Sequence, residues 1–418
     1  MYLTLRDPAL QQDRQERPRG GPRVGSTVLL LGMVSFFTDV SSEMVTSVLP
    51  VYLTVAVGLS PLAFGLVDGV QQGFSAFVRL GAGVLGDRLQ RYKGIAAAGY
   101  GLSALSRLLL IVAPPSAAAV TAIVAVDRTG KGIRTAPRDA MIALAAPEGR
   151  TGAAFGVHRA LDSAGAALGP LLALAVLLVT VDDYRAVFVC SAGLAVVGLA
   201  ALSLVRDPSR DRPRPPRSAS VSWTAPLRDS VLRRMCAAAG LLALLTVSDA
   251  FLLLALQQRT DLNPGWFPLL FVGVATSYAL LALPAGRLTD RFGAVPVLVA
   301  GHVPLVAACV TLVPDVLPVA TTVLVVVLLG SYYAATDGVL MALVARRVPA
   351  EVHGTAMGAV QTAVAAGRLV SSVGFGALWW GTSATFALCV FALGLLVVLP
   401  LAAWLLRTTP AARDGALP

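Results

Sequence analysis

Charge is scarce in this sequence. Asp, Glu, Lys and Arg together make up 13% of its 418 residues, about half of the roughly 25% found in a soluble domain. A chain of this length would build two soluble domains, and it lacks the polar residues to cover them. That excludes an ordinary water-soluble enzyme. Cysteine is equally sparse. Cys190, Cys236, Cys309 and Cys389 stand singly in apolar runs without Cys-x-x-Cys spacing, and read as buried reduced thiols. Only three histidines are present, none spaced with the acids, so no soft-metal site and no resident metal are expected. ATP-driven pumping lacks its Gly-x-x-x-x-Gly-Lys-Ser/Thr loop, and Gly130-Lys131-Gly132 lies inside an apolar run. No Ser/His/Asp or His-Glu-x-x-His arrangement appears either, so enzymatic activity is not expected.

What the chain does have is apolar length. Hydrophobic residues make up 56%, with 39 glycines besides, and about 20 apolar residues cross a bilayer core about 30 Å thick. The apolar runs predict twelve spans, near 27–56, 61–86, 94–113, 117–140, 152–180, 184–205, 234–257, 265–288, 295–314, 317–345, 354–379 and 383–406. The expected fold is therefore an all-α integral membrane protein of twelve helices in two six-helix bundles. A tail at 1–26, which reads as cytoplasmic rather than as a signal peptide, precedes the first bundle at 27–205. An Arg/Pro-rich linker at 206–233 joins it to the second bundle at 234–406, followed by a tail at 407–418.

The net charge of +10 raises the question of a nucleic-acid partner. With the N-terminus placed in the cytoplasm, only Arg185 and Arg259 fall on the far side, and most of the other basic residues fall in cytoplasmic connections and tails. This is the positive-inside pattern, so the basic surplus reports orientation in the cell membrane, with both termini cytoplasmic. A nucleic-acid partner becomes unnecessary, and the lipid bilayer is the expected surrounding.

An internal repeat supports the division into halves. Gly83-Val-Leu-Gly86-Asp87-Arg88 follows span two, and Gly286-Arg-Leu-Thr-Asp290-Arg291-Phe-Gly293 follows span eight, half a chain later. A second pair, Pro147 to Gly156 and Pro349 to Gly358, recurs at nearly the same offset. Two related bundles are the expected build of a secondary transporter with its site near the midplane.

On these residues the chain resembles the major facilitator superfamily along nearly its whole length. Gly83 to Lys93 is similar to that family's loop between spans two and three, with Asp87, Arg88 and Arg91 in place. Gln90 and Tyr92 depart from the usual residues, and the copy at Gly286 lacks the trailing basic pair. The resemblance implies that Asp87 takes part in cytoplasmic ion pairs remade as the halves rock, with Arg134 or Arg138 as partner. Span four carries Asp127-Arg128-Thr-Gly130-Lys131-Gly132-Ile-Arg134, similar to the family's Arg-x-x-Gln-Gly motif with Lys131 for Gln. The longer string from Asp127 to Asp139 resembles a prokaryotic branch of permeases. Gly165-Ala-Ala-Leu-Gly169-Pro170 in span five is similar to a motif of proton-driven exporters, with Ala173 and Leu174 replacing two further glycines.

Charges inside the membrane are costly and mark functional positions. In span one, Ser35, Asp39, Ser42, Glu43 and Thr46 form one polar stripe within about 100° on a helical wheel. Asp39 and Glu43 are the candidates for carrying a coupled proton, against the alternative that each only pairs with a basic residue elsewhere. Span four places Asp127, Lys131 and Arg134 on one face, where Asp127 and Lys131 are expected to pair and Arg128, lacking a partner, to contact substrate. Pro137 is expected to end or kink that span, leaving Arg138 and Asp139 at the cytoplasmic mouth. In span five, His158, Arg159 and Asp162 share a side with Gly165 and Gly169, and Pro170 is expected to bend the helix. The second half offers Asp249, Tyr333, Asp337, Gln361 and Arg368, where Arg368 needs Asp337 or Asp249 as its partner. Trp379 and Trp380 read as interfacial anchors.

The leading expectation is a monomeric secondary transporter that exports a small organic compound in exchange for protons, with no cofactor beyond the proton gradient. Proton-coupled uptake is the alternative. Divalent-cation export through Asp39 and Glu43 as hard oxygen ligands is a third. The substrate-cavity candidates are Arg128, Lys131, Arg159, Asp162, Asp249, Tyr333, Asp337 and Arg368, and they carry both signs of charge.

Overall fold

The computed structural model describes residues 25–89, 91–146, 150–207, 229–314, 318–348 and 353–407, the side chains of 80–89 and 353 excepted. Both tails, most of the linker, the strings at Pro147 and Pro349 in part, and the side chains of Asp87 and Arg88 with the Gly83 stretch lie outside the described residues.

The described chain is helical throughout. In order it forms α1 (Ser26–Val51), α2 (Pro61–Leu89), α3 (Tyr92–Val112), α4 (Ala117–Ala145), α5 (Thr151–Thr180), α6 (Tyr184–Leu204) and α7 (Ser230–Leu244). Then follow α8 (Asp249–Thr260), α9 (Phe267–Phe292), α10 (Ala294–Ala300), α11 (His302–Thr311), α12 (Pro318–Arg347), α13 (His353–Gly381) and α14 (Ala384–Arg407). A π turn, Tyr52–Ala56, extends α1. Among the described residues, nine helical stretches are long and apolar enough to cross a membrane. The helices α2, α4 and α13 fall outside that set although each is 29 residues long, and they carry several of the candidate charges.

The outer surface confirms the class. On α14, Leu393, Leu396, Val397, Leu401 and Trp404 repeat at helical spacing and are all exposed, Val397 at 74%. An apolar stripe of this kind is expected where lipid, not water, is the solvent. Cys190 also lies on this surface rather than buried; Cys309 is buried.

Two spans read as continuous are broken. The seventh unwinds between Leu244 and Asp249, and its freed groups find partners: Ser371 Oγ donates to the Thr246 carbonyl at 2.6 Å, and the Phe251 amide donates to Ser248 Oγ at 3.3 Å. The ninth divides at Gly301. Pro137 does not end its span: it lies inside α4, which runs on to Ala145, and Pro170 lies inside α5, which runs on to Thr180.

Neighbours recur between the halves. In the first, α1 packs on α5 and α6, and α4 on α2 and α3; in the second, α7 packs on α13 and α14, and α12 on α9, α10 and α11. Small residues permit the closest approaches. A Cβ at Gly165 would lie 2.6 Å from the Phe36 carbonyl oxygen, and one at Gly169 2.9 Å from that of Val40. Between halves, α2 runs along α13, and α5 meets α9.

The two ends of the helices differ. One carries Lys93, Arg150, Arg206, Arg291, Arg347 and Arg407 and is termed the basic end. There Lys93 Nζ donates to the Ser203 and Val205 carbonyls at 3.0 and 2.6 Å, and Arg347 Nη1 to the Leu406 carbonyl at 2.9 Å. Cations thus satisfy the last carbonyls of α6 and α14.

Candidate functional site

The first half holds four of its arginines in ion pairs. Asp127 on α4 binds Arg107 of α3 at 2.9 Å through Oδ1 and Arg128 at 3.0 Å through Oδ2. Arg107 Nη2 also donates to Ser42 Oγ at 3.1 Å, and Ser106 Oγ donates to Asp127 at 3.4 Å. The expected Asp127–Lys131 pair is therefore replaced, because a guanidinium from the neighbouring helix reaches the carboxylate and satisfies it better than a one-turn ammonium contact. Lys131 has no ion pair among the described residues. Arg128, expected to lack a partner, has Asp127, although its Nε is buried without a hydrogen-bond acceptor.

A second cluster lies toward the basic end. Arg134 sits 3.6 Å from Asp39 and stacks over the Tyr100 ring at 4.8 Å. Arg138 binds Asp139 at 2.9 Å and Asp162 at 3.7 Å, and donates to Ser35 Oγ at 3.4 Å. Asp162 is 3.4 Å from the exposed Arg159, and its carboxyl is within hydrogen-bonding reach of Asp39. His158 Nε2 contacts Ser35 Oγ at 2.9 Å. At the basic end itself, Asp290 pairs with Arg346 at 3.3 Å in solvent, Arg291 stacks on Phe292, and Arg91 precedes α3.

The polar stripe of α1 is consequently divided. Asp39 joins the Arg134–Asp162 cluster, while Glu43, one turn on, lines a cavity of about 170 Å³. The same cavity is lined by Asp68, Gln71 and Gln72 of α2, Arg128 of α4, and Asp249 and Ala250 at the break in the seventh span. Asp249 accepts from the Ala250 amide at 3.0 Å and is hydrogen-bonded by Tyr333. Broken helices of this kind are tolerated at membrane depth where they line a cavity. The sequence reading missed Asp68, Arg79 and Arg107, which interrupt apolar runs; scanning every span for isolated charges would have found them.

Gln72 also borders a larger vestibule of about 680 Å³. Its walls come from the middle and basic-end thirds of the helices and include Arg79, Arg159, Asp337, Gln361 and Arg368, with Tyr332 and His302 behind. Arg79 Nη1 donates to Gln361 Oε1 at 3.3 Å across the two halves. Arg368 was expected to pair with Asp337 or Asp249; neither forms an ion pair with it, and its Nε is buried without a partner. Both acids belong to other helices whose side chains stop short of it.

At the end opposite the basic one the halves are shut. A Cβ at Gly65 would lie 2.6 Å from the Ser372 carbonyl oxygen and one at Gly376 3.2 Å from the Gly65 Cα; midway along the same two helices, beside the vestibule, one at Gly73 would lie 2.7 Å from the Ala365 carbonyl oxygen. Within this contact Ser372 Oγ donates to the buried Asp68 at 2.6 Å. Trp379 packs against Phe251 and Phe375 there, while Trp380 is exposed. No group of three or more His, Cys, Asp or Glu gathers at metal-binding distance among the described residues.

The family model of the Major Facilitator Superfamily matches residues 31–277 and 244–418. An uncharacterized MFS-type transporter of Methanocaldococcus jannaschii is 28% identical over 377 residues, 88% of this chain and 92% of that protein. The crystal structure of the nucleoside transporter NupG superposes with a TM-score of 0.76 at 13% identity, covering 91% of this chain and 99% of that one. An auto-inhibited POT family peptide transporter superposes at 0.77 and 13% identity, covering 94% and 99%. At such identities the two structures speak for the fold alone.

Proposed function

This chain belongs to the major facilitator superfamily, a family of membrane transporters and not of enzymes, and we propose that it exports a small organic compound in exchange for protons by alternating access. In this reading twelve spans form two six-helix bundles, a view supported by the recurrence of neighbours between the halves. The basic end then faces the cytoplasm by the positive-inside rule, with both termini and the linker on that side. The described state is accordingly open to the cytoplasm through the vestibule and shut at the outer end by α2 and α13.

The observation that carries the reading is the smaller cavity, which Glu43, Asp68 and Asp249 line from three helices of both halves. Carboxylates at such a junction change their surroundings whenever the halves rock, which is what lets proton occupancy be tied to conformation. Asp39 and Asp162 form a second carboxyl pair between the cavity and the basic end. Coupling a proton to movement at this junction requires no resident cofactor.

The test is substrate-dependent proton release from inverted vesicles, screened over organic cations, organic acids and divalent metals. Export reading predicts a signal that disappears when the gradient is collapsed and that changes its pH dependence in Asp39→Asn and Glu43→Gln, singly or together. Transport that ignores the gradient, or variants with an unaltered pH profile, would overturn it.

A further inference from the structure

We propose that the vestibule recognises an anionic group of the transported compound, a carboxylate or phosphate ester, with Arg368 and Arg79 as its ligands. This rests on the transport reading only in taking the vestibule as part of the route. The charged groups facing the vestibule are Arg79 of α2, Arg159 of α5, Asp337 of α12 and Arg368 of α13. Arg159 is exposed and already paired with Asp162, which leaves Arg79 and Arg368 as the guanidiniums to be served; Asp337 and Asp249 act on Arg368 from a distance, and neither forms an ion pair with it. Arg368 stands midway along α13 without an ion pair among the described residues, and the Nε atoms of both Arg368 and Arg79 are buried without hydrogen-bond partners.

Elsewhere in this chain buried arginines are supplied with carboxylates: Arg107 and Arg128 with Asp127, Arg134 with Asp39, Arg138 with Asp139 and Asp162. Holding Arg368 unpaired at membrane depth is costly. A bound anion removes that cost. The planar fork of arginine suits both oxygens of a carboxylate or phosphate. Gln361 holds the Nη1 atom of Arg79 at 3.3 Å, which fixes that side chain at the junction of α2 and α13. The vestibule, at about 680 Å³, has the size of a small-molecule pocket. An organic cation is the occupant this lining disfavours.

The experiment measures thermal stabilisation of the purified full chain by three ring-matched probes, benzoate, phenyl phosphate and benzylamine, at equal millimolar concentration and constant ionic strength. Benzoate or phenyl phosphate is expected to stabilise and benzylamine not. The apparent affinity for the anion should fall about tenfold or more in Arg368→Gln and in Arg79→Gln, partly recover in Arg368→Lys, and stay unchanged in Arg185→Gln, whose residue lies outside the vestibule. Stabilisation by benzylamine alone, by no probe, or by the anions equally in Arg368→Gln and Arg79→Gln overturns the proposal. If Arg368→Gln does not fold, Arg368→Lys and Arg79→Gln decide. Because binding is read without a gradient, anion binding with gradient-independent transport would sink only the export reading, and proton-driven exchange without anion binding only this one.

Discussion

The two halves of this molecule share a pattern of helix contacts and differ in how they hold their buried arginines. In the first, four arginines at membrane depth are each held by a carboxylate, and Asp127 serves two of them. In the second, Asp249 is satisfied by a backbone amide and a tyrosine hydroxyl, and Arg368 by no ion pair among the described residues. An arginine held by a carboxylate of a neighbouring helix ties those helices together. Charges that face the cavities, Glu43, Asp68 and Arg79 of the first half with Asp249 and Arg368 of the second, are left for a ligand or a proton. The contrast assigns scaffolding to much of what looked functional in α4, and recognition to what looked merely sparse in α13.

The comparison breaks most readily at Asp127. Asp127→Asn leaves Arg107 and Arg128 without their shared counter-charge and is expected to cost about 3–5 kcal/mol, seen as a collapse of folded yield and thermal midpoint. Arg368→Gln, by contrast, should leave the midpoint of the unliganded protein near that of wild type. Equal losses in the two would erase the distinction between halves.

The next largest effect concerns the closure. Gly73→Val places atoms against the Ala365 carbonyl, where a Cβ alone would already lie at 2.7 Å, and should oppose the outer-shut state by about 1–3 kcal/mol. Distances between spin labels at the outer ends of α2 and α13 should lengthen, and unaltered distances would show that the close approach is dispensable. Glu43→Gln combined with Asp249→Asn is expected to lower proton-driven exchange about tenfold or more and to flatten its pH profile. Substrate-for-substrate exchange, which needs no net proton movement, should persist in the double variant.

Two smaller effects sharpen the picture. Ser372→Ala removes the hydrogen bond to Asp68 across the halves and should shift the conformational balance by about 1 kcal/mol, measurable with the same labels. Arg346→Gln breaks the exposed pair with Asp290 and should change the thermal midpoint by less than about 0.5 kcal/mol equivalent. A large loss there would mean that second-half pairs at the basic end bear more weight than their exposure allows.

Much of the architecture was legible in one dimension. Hydropathy, the scarcity of charge and the lopsided distribution of arginine identify a helical membrane protein, because each is a sum or a period along the chain, and the family was read from the resemblance of the strings at Gly83, Asp127 and Gly165. The glycines of α5 were legible too, since small residues at helical spacing state that another helix comes near. The candidate site was only half legible. A helical wheel puts Asp39 and Glu43 on one stripe, yet the helices packed against it bring Arg134 to one and the cavity to the other. It puts Lys131 one turn from Asp127, yet Arg107 arrives from α3. Asp68 and Ser372 meet across a separation of 304 residues, which no local period encodes. Solvent preference acts on each residue separately and can be read residue by residue. Pairing of charges depends on which helix faces become neighbours, and that was decided only when the two halves packed.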